Sequence, residues 1–153
     1  NTLVALKNGP VKTLADLKGR KIGYSVGGFE ETLLKTMLAK VGLKPDDVTL
    51  VNVNFSLSPA LLSGQVDAVI GAFRNFELNQ LDLAKKPGRA FYPEEEGLPP
   101  YDELVLIARR DDLNDPRLGR FMAALEQATL YLINHPDEAW QGFGRRTESP
   151  GLA

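Results

Sequence analysis

Lys21-Ile22-Gly23-Tyr24-Ser25-Val26-Gly27-Gly28, followed by Glu30 to Val41 with apolar residues at Leu33, Leu34, Met37, Leu38 and Val41, is the stretch whose reading decides the fold. A short apolar segment broken by two glycines and continued at helical spacing reads as a buried strand running into a helix. Gly42 closes that helix, and Pro45-Asp46-Asp47 makes the next turn. Val48 to Val53 (VTLVNV) has the β-branched richness of a second core strand. Ser58-Pro59 opens a second helix, which runs to Ser63 before Gly64 with proline at its first position. A third strand is predicted over Asp67–Gly71. Strands alternating with helices in this order predict an α/β unit, a mostly parallel sheet covered on both faces.

Upstream, Leu14 to Gly19 (LADLKG) reads as a turn or short helix and Leu3–Leu6 as a further apolar strand. Downstream, a helix is predicted over Phe73–Leu83, a short strand over Arg89–Tyr92, a loop through Gly97-Leu98-Pro99-Pro100 and a strand over Glu103–Ala108. Helices follow over Pro116–Asn134 and Asp137–Phe143, with a frayed end from Gly151. Two of these strands, Leu3–Leu6 and Glu103–Ala108, flank a unit that is already complete. The long C-terminal helix carries an apolar face (Leu118, Phe121, Met122, Leu125) that this unit need not cover. The expectation is that part of the structure is missing from the chain.

Composition narrows the chemistry. The 153 residues are 43% hydrophobic and 25% charged, an ordinary globular balance. Eighteen basic residues face twenty acidic ones without long runs of either sign, which argues against nucleic acid or an acidic membrane as partner. Cysteine is absent, which removes thiol nucleophiles, disulfides and thiolate metal sites. The single histidine, His135, precedes Pro136 and reads as a helix-end residue. The apolar runs fall far short of the roughly twenty residues that span a bilayer. The chain starts at Asn1 without a basic and apolar leader, so a secretion signal is expected to have been removed or never to have existed.

Three loops are candidates for ligand contact. Gly27 and Gly28, with Phe29 at the helix start, let backbone amides approach a ligand at the carboxyl end of a strand, although a plain strand-to-helix turn needs the same glycines. The pattern is neither GxGxxG nor GK[ST], so a nucleotide site is poorly supported. Phe73-Arg74-Asn75-Phe76-Glu77 offers aromatic rings beside an amide and a carboxylate that can accept from an exocyclic amine; the plain alternative is an amphipathic helix start. In Gly97-Leu98-Pro99-Pro100-Tyr101-Asp102-Glu103, prolines stiffen the approach and Tyr101 offers a second aromatic wall, or the segment is a solvated loop. Asn54, after the second strand, is a weaker candidate. No catalytic constellation emerges: Ser25 and Ser56 have no histidine beside them, and Glu30-Glu31 reads as a solvated face.

LADLKGRKIGYSVGG, LLSGQVDAVIGAFRNFE, GLPPYDELVLIARRDDL and FMAALEQATLYLINHPDEAW, in that order, resemble the periplasmic solute-binding proteins of thiamin-pyrimidine transporters, related to fungal hydroxymethylpyrimidine synthase. The resemblance runs from about Leu3 to Trp140; the DLKG and SGxVDAxIG pieces mark the wider superfamily, FRNFE and GLPPYDE the pyrimidine group. It implies a fold like that of the type II periplasmic binding proteins, two α/β lobes clamping a ligand. Residues 1–10 would be a crossover strand, 11–102 the complete second lobe, and 103–153 a crossover strand with the returning helices of an incomplete first lobe. It further implies Glu77 and Asn75 as readers of the ligand edge, Tyr101 facing the cleft and Gly27-Gly28 on its floor. The implied function is capture without turnover of a thiamin pyrimidine precursor, hydroxymethylpyrimidine or formylaminopyrimidine, for an ABC transporter permease, outside the cytoplasm as a periplasmic protein or lipoprotein, with no cofactor or metal. Where the fungal enzymes carry a cysteine-rich iron motif, this chain has Leu98-Pro99-Pro100-Tyr101-Asp102. A synthase-like enzyme, or a binder of a sulfonate or nitrate, is the alternative. Self-association of the chain through its uncovered face is also expected.

Overall fold

In a computed structural model describing residues 1–144, the chain divides into two compact units, the first from Asn1 to Glu103 and the second from Leu104 onward. The first contains a five-stranded sheet: β1 (Thr2–Leu6), β2 (Lys21–Tyr24), β3 (Thr49–Asn52), β4 (Ala68–Ala72) and β5 (Gly88–Phe91), in the spatial order β3-β2-β4-β1-β5. Helices α1 (Phe29–Lys40), α2 (Leu57–Leu62) and α3 (Glu77–Leu83) connect them, and a 3-10 turn, Leu14–Leu17, leads into β2.

β2 pairs in parallel with β3 and with β4, as the strand-helix alternation predicts. β1 corrects the expectation of a strand merely flanking a finished unit. It lies inside the sheet, antiparallel to both β4 and β5, so the sheet is mixed. The physical reason is in its sequence: Thr2, Leu3, Val4 and Ala5 are all fully buried, which requires cover on both faces and neighbours on both edges.

Each sheet face carries its own core. Leu3, Ala5, Ile22, Ala68 and Ile70 pack with Leu34, Met37 and Leu38 of α1 and with Leu14 and Leu17 of the 3-10 turn. Val4, Val69 and Ala72 pack on the other face with Leu57, Ala60 and Leu61 of α2 and Leu81 of α3. Ala72 breaks the alternation of β4, and the pairing explains it: Thr2 faces Ala72 while Leu3 faces Ile70, leaving Gly71 as an extra, bulged residue. Gly71 has φ +100°, and a Cβ there would lie 2.3 Å from Glu30 Oε1.

α3 begins four residues later than predicted, because the chain from Phe73 to Phe76 turns before helical bonding starts. The predicted strand Glu103–Ala108 does not form. Among the described residues no strand pairs with it, and without a ladder partner its backbone amides and carbonyls have nothing to bond in extended form. Leu104, Leu106 and Ile107 are exposed. The second unit consists of a short 3-10 turn and helices α4 (Pro116–Asn134) and α5 (Pro136–Gly144). Asp115 caps α4 by accepting from Arg117 N–H, and Pro116 occupies its first position. His135 ends α4, its ring stacked on Tyr131 with centroids 4.7 Å apart. The frayed end expected from Gly151 lies outside the described residues.

Gly71→Ala is expected to destabilise the protein by more than the ~1–3 kcal/mol of a strained backbone alone, because the new methyl also meets a buried carboxylate. Gly19→Ala, at φ +73° in open space, carries only the backbone cost. Urea denaturation of the two variants compares them directly; equal losses would show that the bulge tolerates a side chain.

Candidate functional site

Parallel pairing places the loops after β2, β3 and β4 at one sheet edge, the position where open α/β sheets hold ligands. β5 runs in the same direction as β4, and β1 begins at this edge, since Thr2 pairs with Ala72 and Leu3 with Phe91. The edge therefore gathers Ser25–Phe29, Asn54, Phe73–Glu77, Tyr92–Glu94 and Asn1.

Phe29 and Tyr101 meet edge to face, with centroids 6.0 Å apart and planes at 76°. Both rings are partly exposed, an aromatic wall that joins the glycine loop to the proline loop. Ser25 Oγ donates to Asn54 O, and Asn54 holds a left-handed backbone (φ +50°) while its N–H donates to Asn52 Oδ1 at 2.8 Å. Gly27 and Gly28 leave the loop open: no heavy atom lies within 4 Å of a Cβ position on Gly28.

Glu77 is buried, with 6% exposure, and its carboxylate accepts from the Phe73 N–H at 2.7 Å. It thus ties the turn that precedes its own helix. Asn75 is exposed, and its carbonyl accepts from Asn79 Nδ2 at 2.9 Å. Phe73 is 40% exposed.

Glu30 overturns the reading of Glu30-Glu31 as a solvated face. It is only 4% exposed, its Oε2 accepts from Ser25 N–H at 2.7 Å, and its carboxylate lies against the bulge at Gly71. Burial raises its pKa above the usual carboxylate range, opposed by hydrogen bonds from Ser25 and Val26 and reinforced by the charge of Glu103. The signal was present in the sequence: a glutamate in the first turn of a helix, five residues after the strand-end Ser25, can reach back to loop amides.

Another group was not anticipated. Arg74 lies over the Tyr92 ring, 4.2 Å from its centroid, and pairs with Glu94, which holds the Glu94 carboxyl below its usual range. The Asn1 nitrogen donates to Glu103 Oε2 at 2.5 Å. Partial burial, followed by the Glu103 charge, raises the Tyr101 pKa. These groups line a cavity of about 200 Å³ with Pro93, Pro99 and Pro100. Among the described residues no three His, Asp or Glu side chains converge as a metal site requires.

A family model described as NMT1/THI5 like matches residues 1–139. A Haemophilus influenzae protein named for thiamine biosynthesis is 62% identical over 94% of this chain and 46% of its own length. A formylaminopyrimidine-binding protein of Halalkalibacterium halodurans is 36% identical over 82% of this chain and 38% of its own. A 4-amino-5-hydroxymethyl-2-methylpyrimidine phosphate synthase of Schizosaccharomyces pombe is 36% identical over 92% and 44%. Among solved structures, the alkanesulfonate-binding protein SsuA of Xanthomonas axonopodis pv. citri aligns with a TM-score of 0.67 at 26% identity, over 92% of this chain and 48% of that one. The chain spans less than half the length of each.

Because Glu30 is more readily protonated in the fold than in the unfolded chain, its contribution to stability is complete below about pH 4.3 and is lost as pH rises through its folded value. Glu30→Gln keeps an acceptor for Ser25 N–H and removes the buried charge. The stability of this variant relative to the parent is expected to increase between pH 4 and pH 7 in thermal melts. A relative decrease over that interval would mean that the carboxylate is stabilised in its charged form.

Proposed function

The chain belongs to the NMT1/THI5-like family, and we propose that it is the ligand-binding lobe of an extracytoplasmic solute-binding protein that delivers a thiamin pyrimidine precursor to an ABC importer. The observation that carries this reading is the aromatic pair Phe29–Tyr101 beside a carboxylate-rich cavity at the carboxyl edge of the sheet. A flat heterocycle stacks on such a wall, and its exocyclic amine donates to carboxylates. The relatedness to a formylaminopyrimidine-binding protein supports the same class of ligand. Hydroxymethylpyrimidine and formylaminopyrimidine share the ring and the amine; both are candidates, with Glu77, Asn75, Phe73, Asn54 and the Gly27-Gly28 loop around them.

Capture without turnover is the better of two readings. The single histidine sits at the end of α4, stacked on Tyr131, and cysteine is absent from the chain. The described edge therefore offers no nucleophile and base pair. The fungal relatives named as synthases keep an enzymatic reading in play for the whole protein, whose remaining half would have to supply the reacting groups. An anion such as a sulfonate or nitrate fits less well: Glu30, Glu94 and Glu103 crowd the edge, and Arg74 is already engaged by Glu94.

The proposal includes a domain arrangement. Residues 11–102 form the body of one lobe, β1 and the segment after Glu103 lead to a second lobe, and the helices from Pro116 belong to that second lobe. No residue of α4 is buried, and Phe121, Met122, Leu125 and Leu130 are exposed, a face suited to cover by the rest of a longer two-lobed protein. In the chain alone the same face favours self-association, and half of a cleft binds ligand more weakly than the whole.

Calorimetric titration of the full-length protein with 4-amino-5-hydroxymethyl-2-methylpyrimidine and with formylaminopyrimidine tests the reading. Saturable binding is expected, with a thermal shift corresponding to about 2.7 kcal/mol at a hundredfold excess over Kd. Saturable binding of an alkanesulfonate, with neither pyrimidine bound, would overturn it.

A further inference from the structure

Arg74 is the only basic side chain in the loops that gather at the carboxyl edge: residues 25–29, 54–56, 73–77 and 92–103 contain no other Lys or Arg. A guanidinium in a ligand cavity is ordinarily an oxyanion receptor, because its planar fork of donors matches phosphate and carboxylate oxygens. Arg74 is held otherwise. Its Nη2 donates to Glu94 Oε1, and its guanidinium carbon lies 4.2 Å from the centroid of the Tyr92 ring. Hydrogen bonding to Arg74 keeps the Glu94 carboxyl below its usual range, so the countercharge is present at neutral pH.

Both side chains line the cavity of about 200 Å³ together with Tyr101, Pro99 and Pro100. A guanidinium has five N–H donors, and one bond to Glu94 leaves others over. Any oxyanion that takes them stands beside the Glu94 charge, and repulsion from that carboxylate offsets the attraction of the guanidinium. Arg74 follows β4, whereas Tyr92 and Glu94 follow β5, so the pair joins two loops of the edge. Tyr92 fixes where the guanidinium lies and Glu94 supplies its countercharge. With side-chain exposures of 46% and 39%, the ion pair adds little to the stability of the fold. An ion pair of small structural value set in the wall of a ligand cavity points to a role in recognition. The alkanesulfonate-binding relative shares the lobe fold, so the choice between an anion and a neutral ring falls to side chains of this kind.

We infer that Glu94 is a specificity-determining residue: by taking up the charge of Arg74 it makes the cavity select an uncharged aminopyrimidine over the same ring carrying an oxyanion. This inference deepens the proposed aminopyrimidine reading and rests on it. Removing the Glu94 carboxylate unmasks the guanidinium on Tyr92 and turns it into an oxyanion receptor. Removing Arg74 as well leaves these loops without a cationic side chain, and selectivity for the neutral ring returns.

Calorimetry on the full-length protein tests this with 4-amino-5-hydroxymethyl-2-methylpyrimidine and its phosphate monoester. Both compounds carry the same ring and amine, so a lost contact to either cancels in the ratio of their affinities. The parent is expected to bind the alcohol more tightly. Glu94→Gln should shift the ratio toward the monoester by on the order of tenfold or more, the scale of one charge-assisted contact. Glu94→Ala should shift it in the same direction, which guards against a folding defect peculiar to one variant. In the double variant Glu94→Gln/Arg74→Met the ratio should return to near that of the parent, and added salt should erode the gain seen in Glu94→Gln. A general loosening of the cavity would change both affinities alike and leave the ratio intact. The inference is overturned if the ratio is unchanged in both Glu94 variants, if the shift persists without Arg74, or if the parent already prefers the monoester. Binding of neither compound by the parent would instead reject the aminopyrimidine reading, and this inference with it.

Discussion

The carboxylate of Glu30 is the group on which the sheet edge depends. It occupies the space that any side chain at residue 71 would fill, and it accepts from Ser25 N–H, so one buried charge fastens the end of β2 to the bulge in β4. Burying a carboxylate is costly unless donors meet it, and here loop amides do so while desolvation still raises its pKa. The bulge also turns Ala72 onto the second core, allowing the strand to end and the Phe73 loop to leave at the ligand edge. Packing in the sheet and placement of the loops are in this way a single constraint.

Around that fixed point the edge is rich in carboxylates and in aromatic surface. Glu94 and Glu103 line its cavity, Glu30 lies under the glycine loop, and Arg74 is paired with Glu94 and stacked on Tyr92. Under the proposed function, such a surface would favour a neutral ring that presents N–H donors over an anion. The likeness to alkanesulfonate-binding proteins then reflects a shared lobe, with the ligand set by the side chains at its edge.

Much of the fold was legible because its signals are local. The apolar segments at Lys21–Val26, Val48–Val53 and Asp67–Gly71 match β2, β3 and β4 to within two residues at each end, and Asp115 with Pro116 marks the start of α4, whereas α2 begins at Leu57 and holds Pro59 third, not first. The role of β1 was not legible, since a run of buried residues specifies burial and says nothing of which strands lie on either side. Glu103–Ala108 misled for a related reason: β propensity without a pairing partner yields no strand. At the site, the aromatic contact between Phe29 and Tyr101 joins two loops that the sequence had singled out separately. The bond from Ser25 to Glu30 spans only five residues and was legible in principle, but the contact of Glu30 with Gly71 spans 41 and the Arg74–Glu94 pair spans 20, and neither could be read locally. Charge adjacency in the sequence could not reveal that Glu30 turns inward while Glu31 stays partly exposed.

The central claim, that this sheet edge holds an aminopyrimidine, is met most directly by a crystal structure of the full-length protein grown with 4-amino-5-hydroxymethyl-2-methylpyrimidine. The account predicts the ring against Tyr101, with its amino nitrogen within hydrogen-bonding distance of a carboxylate at that edge. Density for the ring away from the carboxyl edge of the sheet, or with its amine turned from every carboxylate at that edge, would contradict it.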